Sequence, residues 1–332
     1  MNKLDPRNIY DDLHQIPELG FEEFKTSAYL ADKLEAMGYK VTRNIGGTGV
    51  IGEIKGSEPG PVMMLRADMD ALPFLIDGEK KNIHACGHDA HSAMLLAAAS
   101  ELVGKVKRGT LRILFQQGEE TLKGALAVID AGVIEDVDIA LGLHIRPVQD
   151  IAYGEMSPAV RHASSTFVNV VINGLSSHGA RPHLGVNAIE AAAVAINAIT
   201  AIKINPIIPW SCKVTGIKGG GVAPNIIPDK VEMIVDARAQ TNEAMTELLE
   251  KLRRAVTNAA AALGATAEVT TPGGVIPAAE YDDELTAEVA ECIVEVVGEE
   301  KLAKELVNPG GEDFHYFVNK YPHIKAAKAT TA

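Results

Sequence analysis

One short apolar run limits the fold of this chain more than any other feature. Residues 62–66 read Val-Met-Met-Leu-Arg, a nearly continuous apolar segment of the kind found in strands buried on both faces of a sheet. Asp68 and Asp70 follow this run directly. In open α/β sheets, ligands bind beyond the carboxyl ends of the strands. The run therefore predicts an α/β fold with Asp68 and Asp70 at its ligand-binding edge.

Helices and strands alternate along the first 145 residues, as expected for such a sheet. Helical periodicity occurs at residues 9–14, 22–37, 90–103 and 122–131, and β-rich runs occur at residues 40–43, 49–54, 62–66, 110–116 and 137–142. Further side chains able to bind metal follow these elements, namely Cys86, His88, Glu119, Glu120 and His144. The alternation predicts an α/β sandwich that carries them at strand ends.

A second pattern begins near residue 164. Residues 167–172, 211–218, 230–239 and 266–271 have strand character, and residues 187–204 and 242–263 have helical character. Their order, β-α-β-β-α-β, is the split βαβ pattern of a complete small domain. We predict a first domain of residues 1–163 plus 273–332, interrupted by an inserted domain of residues 164–272. Residues 281–297 and 313–320 are predicted helices, and no element is predicted for the tail, residues 325–332.

Composition excludes several classes of protein. The 332 residues suit two domains, and 31 basic against 44 acidic side chains give a net charge of −13, which argues against nucleic acid as a partner. The apolar runs at residues 95–99 and 191–199 are too short to span a membrane. Three cysteines and an N-terminus without a signal-peptide core favour a reducing, cytoplasmic location.

Cys86 and His88, with Glu120 and His144, form a mixed set of sulfur, nitrogen and oxygen donors. Zn²⁺ accepts all three donor types, and Mn²⁺, Co²⁺ or Ni²⁺ also fit. A thiolate can bridge two ions, so the set favours a two-metal site. Each residue alone has a simpler interpretation, as an inert buried thiol or a hydrogen-bonded core histidine. Cys86 and His88 belong to a polar stretch at residues 84–91. Its other polar residues, His84, Asp89 and His91, are expected to pack or to support the ligands.

Glu119 and Glu120 form a second key pair. Adjacent residues after a strand point in different directions, so we predict Glu120 as a metal ligand and Glu119 as the general base and acid. A metal lowers the pKa of a bound water to about 7, and a carboxylate can then remove its proton. The alternative is a solvated acidic turn at the start of a helix.

Three further residues lie in the inserted region. His178 occupies a polar loop and is a candidate donor to a substrate carbonyl oxygen, with an ordinary surface histidine as the alternative. Asn225 follows the loop of residues 219–224, which is rich in glycine but lacks the ending of a phosphate loop. Arg238 ends a strand and can hold a carboxylate with two hydrogen bonds or form a surface ion pair.

Several motifs in a fixed order resemble the clan MH metallopeptidase relatives, and most closely their amidohydrolase subfamily, which includes aminoacylases, hippurate hydrolases, indole-acetyl-amino-acid hydrolases and carboxypeptidase G. The resemblance covers about residues 17–321 and is carried by residues 65–73 (LRADMDALP), 84–91 (HACGHDAH), 116–120 (QQGEE), 142–144 (GLH), 177–183 (SHGARPH), 225–228 (NIIP) and 311–314 (GEDF).

The resemblance implies a phosphorylase/hydrolase-like catalytic domain with a dinuclear metal centre, and a ferredoxin-like βαββαβ lid that also mediates a homodimer. It implies hydrolysis of an N-acyl-amino acid or similar amide, a small-molecule substrate. The implied ligands are Cys86, His88, Glu120 and His144, with Glu119 as base and Asp70 as support for a ligand. His178 would stabilise the oxyanion, often across the dimer, and Asn225 and Arg238 would hold the substrate.

The chain departs from the subfamily pattern in three places. Residues 74–83 form a shorter segment than usual, and Leu122 and Lys123 replace the usual glycines. The family pattern continues after residues 312–314 with a strand and a loop that carries a metal-binding His. His323 comes too early to match it and the sequence ends at Ala332, so we expect one metal position to lack its protein ligand.

This departure motivates a second hypothesis, a catalytically impaired metal- or ligand-binding relative. A truncated, frameshifted or degenerate gene product would each show the same pattern. A third hypothesis is a cysteine hydrolase with Cys86 as nucleophile, which would leave the two glutamates without a role.

Overall fold

The computed structural model describes residues 3–332, and its internal contacts divide the chain into two units. The first unit comprises Met1–Arg161, Glu280–Val307 and Glu312–Ala332, and the second comprises His162–Ala279 and Asn308–Gly311. No helix among residues 3–332 combines the length and apolar character needed to cross a membrane.

The helices of the described chain are α1 (Pro6–His14), α2 (Phe24–Ala36), α3 (His88–Leu102), α4 (Gly124–Asp130), α5 (Ala188–Thr200), α6 (Asn242–Ala262), α7 (Asp283–Val297) and α8 (His315–Lys320). The strands are β1 (Lys40–Ile45), β2 (Gly49–Lys55), β3 (Glu58–Asp68), β4 (Leu72–Ile76), β5 (Glu79–Ile83), β6 (Arg108–Gln116), β7 (Ile139–Ile145), β8 (Met156–Ser157), β9 (Val160–His162), β10 (Ser164–Asn173), β11 (Ser177–His178), β12 (Trp210–Gly219), β13 (Ile226–Ile227), β14 (Lys230–Ala239), β15 (Thr266–Thr270), β16 (Leu306–Asn308) and β17 (Lys325–Thr331).

A mixed seven-stranded sheet forms the centre of the first unit. Its order is β1-β2-β6-β3-β7-β17-β8. The four central strands, β6, β3, β7 and β17, run parallel to one another, and the outer strands are antiparallel to their neighbours. The predicted α/β fold with a mixed sheet is therefore confirmed, and the apolar run of residues 62–66 lies in the central strand β3.

Helices cover both faces of this sheet, which explains why its central strands are apolar throughout. On one face, α1, α2 and α3 pack through fully buried side chains such as Leu13, Leu34 and Leu96. On the other face, α4 and α8 pack with Phe314. The loops described below follow the carboxyl ends of the central strands.

The second unit contains a four-stranded antiparallel sheet of order β12-β14-β10-β15. Along the chain its elements follow as β10, α5, β12, β14, α6 and β15. The helices α5 and α6 bury small and aliphatic residues, among them Ala191, Ala195 and Leu248, against one face of the sheet. The strands and helices expected between residues 167 and 271 are present within a few residues of their predicted bounds.

The expectation of a tail without structure is wrong. Residues 325–331 form β17, which pairs in parallel with β7 and antiparallel with β8. The sequence of β17 consists of Ala, Lys and Thr, and the first two are poor strand formers, so its pattern gives little local signal. Tertiary pairing decides the outcome, because Ala326, Ala327 and Lys328 are all buried inside the sheet.

Candidate metal centre

Three parallel strands bring the candidate ligands to one edge of the sheet. The strands β6, β3 and β7 are neighbours, and the last residue of β3, Asp68, lies opposite the last residue of β6, Gln116. The loops that follow β3 and β6 therefore begin side by side. His144 lies near the end of β7 at the same edge.

A left-handed glycine separates Cys86 from His88. Gly87 has a φ of +81° and precedes α3, whose first residue is His88. A Cβ atom on Gly87 would lie 2.2 Å from Cδ1 of Ile145, so no other residue fits here without displacement. This turn allows the Cys86 side chain to approach β7, where its Sγ lies 3.6 Å from Nε2 of His144.

Asp70 fixes the orientation of His88. The Nδ1–H of His88 donates to one carboxylate oxygen of Asp70 at 3.0 Å, and the other oxygen accepts the backbone N–H of Glu120 at 2.9 Å. The other ring nitrogen of His88, Nε2, is buried and has no hydrogen-bond partner among the described residues. A carboxylate that holds the far side of a histidine in this way is typical of metal-binding histidines.

Both glutamates of the predicted pair approach His88. Oε1 of Glu120 lies 3.8 Å from Nε2 of His88, and Oε2 of Glu119 lies 3.9 Å from the same atom. The expectation that adjacent residues diverge is wrong here, because Glu119 and Glu120 begin a 3₁₀ turn instead of continuing an extended strand. Gly118 and Leu122 flank this turn with φ values of +59° and +58°.

These side chains fit a divalent metal ion. The ligand atoms of Cys86, His88 and His144 lie within 4.8 Å of one another, and so do those of His88, Glu119 and Glu120. Nδ1 of His144 donates to the carbonyl oxygen of Ile145, which leaves Nε2 with its lone pair towards Cys86. Oε1 of Glu120 is buried and unpartnered among the described residues, like Nε2 of His88. Two overlapping groups that share His88 offer sulfur, nitrogen and oxygen donors, which Zn²⁺ and similar ions accept.

The other polar residues of the motif at residues 84–91 have different partners. The backbone N–H of Ile145 donates to Nε2 of His91 at 2.9 Å, so the Nδ1–H of His91 donates to Asp68 at 2.5 Å. Asp89 pairs with His14 at 2.6 Å. Both nitrogens of His91 are thereby engaged within the protein.

Burial and neighbouring charges perturb the acid–base properties of the cluster. The pKa of Glu119 is raised well above its usual value, first by burial and then by the carboxylates of Glu312 and Asp313. Burial likewise raises the pKa of Glu120 and of the Cys86 thiol. A carboxyl group with a raised pKa is suited to exchange protons near neutral pH.

A buried charge network, which the sequence did not reveal, lies next to this cluster. Arg66 donates to Asp68 at 2.6 Å, to Asp313 at 2.8 Å and to Gln116 at 3.0 Å. Lys328 of β17 is fully buried and pairs with Glu312. The only sequence signal was the presence of the Asp68 and Glu312–Asp313 positions inside recognisable motifs, which indicated importance without indicating partners.

The remaining predicted residues belong to the second unit. Residues Ser177–His178 pair with Ile226–Ile227, and the carbonyl oxygen of Asn225 accepts the N–H of Gly179 at 2.7 Å, so the structure brings His178 and Asn225 together. Arg238 lies in β14, where it donates to Asp236 at 2.9 Å and to the carbonyl oxygen of Pro309 at 2.8 Å.

Fold and cluster together define an α/β protein of the metal-dependent hydrolase class. The chain belongs to the family described as Peptidase family M20/M25/M40, which matches residues 64–327. This confirms the resemblance inferred from the motifs. The relatives to which the chain is similar include proteins with the names of hydrolytic enzymes.

Two relatives and one solved structure illustrate the similarity. The chain is 35% identical to thermostable carboxypeptidase 1 of Saccharolobus solfataricus over 93% of this chain and 82% of that protein. It is 33% identical to hippurate hydrolase of Campylobacter jejuni over 93% of this chain and 84% of that protein. The YxeP protein of Bacillus subtilis, described as a dinuclear metal binding peptidase from the M20 family, is 30% identical with a TM-score of 0.82, over 98% of this chain and 87% of that one.

Proposed function

We propose that this protein is a metal-dependent amidohydrolase that cleaves the amide bond of N-acyl-amino acids or similar conjugates. The observation that carries the proposal is the buried, unpartnered Nε2 of His88, which faces the carboxylates of Glu119 and Glu120. The names of the relatives, a carboxypeptidase and a hippurate hydrolase, support amide substrates that contain an amino acid.

Cys86, His88, Glu120 and His144 would hold the metal, with two ions per chain in a complete site. Zn²⁺ or Mn²⁺ suit these donors best, and Co²⁺ or Ni²⁺ are also compatible. When bound, such ions supply Lewis acidity, which polarises the substrate carbonyl and lowers the pKa of water. Asp70 would hold His88 and the Glu120 backbone in place, as its two hydrogen bonds indicate.

Glu119 would act as general base and then as general acid. Its carboxylate takes one proton from the attacking water, whose oxygen forms the new bond to the amide carbon. Glu119 then delivers this proton to the leaving nitrogen as the carbon–nitrogen bond breaks, so that a carboxylic acid and an amine result. The second proton of the water stays on the new carboxylic acid, which loses it to solvent to give the carboxylate. The raised pKa of Glu119, caused first by burial, supports a role in both directions of proton transfer.

The second unit would act as a ferredoxin-like βαββαβ lid and as the contact of a homodimer. His178 would donate to the oxyanion. The N–H of Ala180 donates to Nδ1 of His178 at 3.1 Å, so the proton of a neutral ring lies on the exposed Nε2 and is available to a substrate. Asn225 and Arg238 would hold the substrate. We also propose a cytoplasmic location, which the sparse cysteine content supports.

A Glu119→Gln variant tests this assignment. We expect purified wild-type protein to take up two divalent ions and to cleave acetyl-, benzoyl- or indole-acetyl-amino acids in a screen with varied metals. Glu119→Gln should keep the metal, measured by elemental analysis, and lose turnover by about 10²-fold or more, the usual contribution of a general base. Unchanged turnover in this variant would refute the assignment of Glu119.

The same measurements address the second hypothesis. A catalytically impaired metal- or ligand-binding relative would take up one ion or none and would cleave no substrate in the screen. Activity that survives EDTA but is lost after thiol alkylation would instead favour Cys86 as a nucleophile.

A further inference from the structure

A buried carboxylate outside the metal cluster holds the turn that carries Glu119 and Glu120. Glu23 is fully buried, and its Oε1 accepts the backbone N–H of Gly118 at 2.8 Å. Its Oε2 accepts the hydroxyl of Thr48 at 2.5 Å. Gly118 directly precedes the 3₁₀ turn of Glu119 and Glu120, so this hydrogen bond fixes the point where the turn begins.

The helix that follows Glu23 does not explain its burial. Glu23 lies at the N-cap of α2, but its side chain makes no capping hydrogen bond to that helix. The capping role belongs to Glu18, whose carboxylate accepts the N–H groups of Lys25 and Thr26, both at 2.9 Å. Burial of a carboxylate is costly, and the contacts of Glu23 are made to the glutamate turn and to Thr48 instead.

The residues before Glu23 pack against the same turn. The φ of Gly118 is +59°, and a Cβ atom there would lie 2.6 Å from the ring of Phe21. Phe21 itself has a φ of +66°, a conformation that non-glycine residues adopt only when the surroundings impose it. A Cβ atom on Gly20 would lie 2.8 Å from Cγ2 of Thr121. The ring of Phe21 and the backbone of Gly20 thus lie close to the turn.

The segment also contacts the loop that carries Asp70. The N–H of Ala71 donates to the carbonyl oxygen of Glu18 at 2.7 Å, and a Cβ atom on Gly20 would lie 3.2 Å from Oδ2 of Asp70. Residues 18–23 therefore lie against both loops that face His88, the loop with Asp70 and the turn with Glu119.

We propose that Glu23 is a positioning residue for the glutamate turn. Its carboxylate accepts the N–H of Gly118 and thereby stabilises the left-handed conformation of Gly118. This conformation directs Glu119 and Glu120 towards His88, and Thr48 orients the Glu23 carboxylate. The inference rests on the proposed function for its kinetic consequence, while its effect on metal affinity depends only on the position of Glu120.

Four variants test the proposal. Glu23→Ala removes both hydrogen bonds, and Glu23→Gln keeps both, because the amide oxygen can accept from Gly118 and the amide nitrogen can donate to Thr48. Thr48→Val removes only the bond that orients Glu23. Glu22→Ala is the matched control, because it removes a neighbouring carboxylate that is exposed.

The readouts are metal affinity by titration with Zn²⁺ or Mn²⁺ alone, kcat and KM on the best substrate of the screen, and the melting temperature of the metal-free protein. We expect Glu23→Ala to lower metal affinity and kcat by about 10- to 100-fold, the usual effect of losing a group that orients a ligand. The loss should appear in kcat with little change in KM. Glu23→Gln should recover most of the loss, and Glu22→Ala should behave as wild type.

Two outcomes overturn the proposal. One is a Glu23→Ala protein with wild-type metal affinity, even if its melting temperature falls, since Glu23 would then stabilise the fold without positioning the turn. The other is a Glu23→Gln protein as impaired as Glu23→Ala. If Glu23→Ala does not fold, Thr48→Val decides, with an expected loss of metal affinity of about fivefold for one hydrogen bond and refutation by wild-type affinity. A wild-type protein that binds metal but cleaves nothing refutes the proposed function and leaves the affinity comparison intact.

Discussion

Replacing Lys328 with methionine should destabilise the first unit strongly. Lys328 lies in β17, the strand that local sequence pattern does not predict. The Lys328 side chain is fully buried and pairs with Glu312, of which 2% is exposed. Met has a similar length and no charge, so Lys328→Met removes the ammonium group with little change in packing. The variant leaves the carboxylate of Glu312 in the interior without its main partner.

The structure sets the size of this effect. Removing one partner of a buried ion pair costs about 3–5 kcal/mol. The lower end applies here, about 3 kcal/mol, because Nη2 of Arg66 remains 3.3 Å from Oε1 of Glu312. In the double variant Lys328→Met/Glu312→Gln both charges are removed together, and we expect a loss of about 1 kcal/mol, since neutral replacements of buried pairs are often tolerated. The coupling between the two sites is then about 2 kcal/mol or more.

Urea denaturation followed by far-UV circular dichroism measures these differences as shifts of the midpoint at constant slope. Trp210 is the single tryptophan of the chain and lies in the second unit. Its fluorescence therefore reports on that unit, and we expect the urea midpoint of this signal to be the same in the variant and the wild type. Lys325→Met is the matched control. Lys325 lies on the same strand, but its partners Asp282 and Glu284 are at the surface, and exposed pairs contribute little.

Two results would contradict this reasoning. The first is a Lys328→Met protein whose urea midpoint falls no more than that of Lys325→Met, which would mean that the buried charge is not paired as described. The second is a double variant as unstable as Lys328→Met alone, which would mean that loss of packing, and not loss of the positive charge beside Glu312, causes the destabilisation.

Two further predictions concern residues near the sheet. Burial lowers the pKa of His315 from 6.5 to about 3, so below pH 6.5 the unfolded chain binds a proton that the folded chain does not. The free energy of unfolding should therefore fall by up to about 1.4 kcal/mol per pH unit on acidification, and His315→Phe should flatten this dependence in denaturation experiments at pH 4–7; an unchanged slope would contradict the prediction. Gly87→Ala should weaken metal binding and cost more stability than Gly78→Ala, because both glycines have φ near +80° but only a Cβ at Gly87 would meet Ile145, at 2.2 Å. Both substitutions carry the conformational cost of about 1–2 kcal/mol, so their difference reports the contact with Ile145, and equal losses in the two variants would argue against it.

Most of the fold could be predicted from the sequence where the hydrophobic pattern and the positions of turn-forming residues agreed. The run of residues 62–66 became the central strand β3, and residues 230–239 form β14 with the bounds that were predicted. The hairpin of β4 and β5 was not predicted, because its residues are mostly exposed and follow no burial pattern. The strand β17 was not predicted either, because pairing with β7 and not local propensity determines it.

The candidate site likewise has a part that could be predicted from the sequence and a part that could not. Cys86, His88 and the two glutamates could be named from sequence because they stand in local motifs. The direction of Glu119 was expected from extended geometry and proved different, since the turn depends on the left-handed Gly118 and on Glu23, which is 95 residues away. Long-range partners of this kind leave no periodic signal. The residue types that bind a metal can therefore be read locally, whereas the contacts that orient them cannot.

Two of the buried charges behind the cluster, both cationic, lie opposite the same glycine. Arg66 of β3 and Lys328 of β17 both lie opposite Gly142 of β7, the strand between them. A Cβ atom on Gly142 would lie 3.1 Å from Cγ of Lys328, so the missing side chain leaves room for the lysine to cross towards Glu312. Buried ion pairs are weak evidence for stability, because desolvation opposes their attraction. Their placement is informative instead. Arg66 donates a hydrogen bond to Asp68, and Asp68 accepts one from His91. The ring centroids of His91 and His144 lie 4.4 Å apart. The contacts from Arg66 through Asp68 to His91 thus connect the centre of the sheet to a candidate ligand, which argues that these residues also help to orient the site.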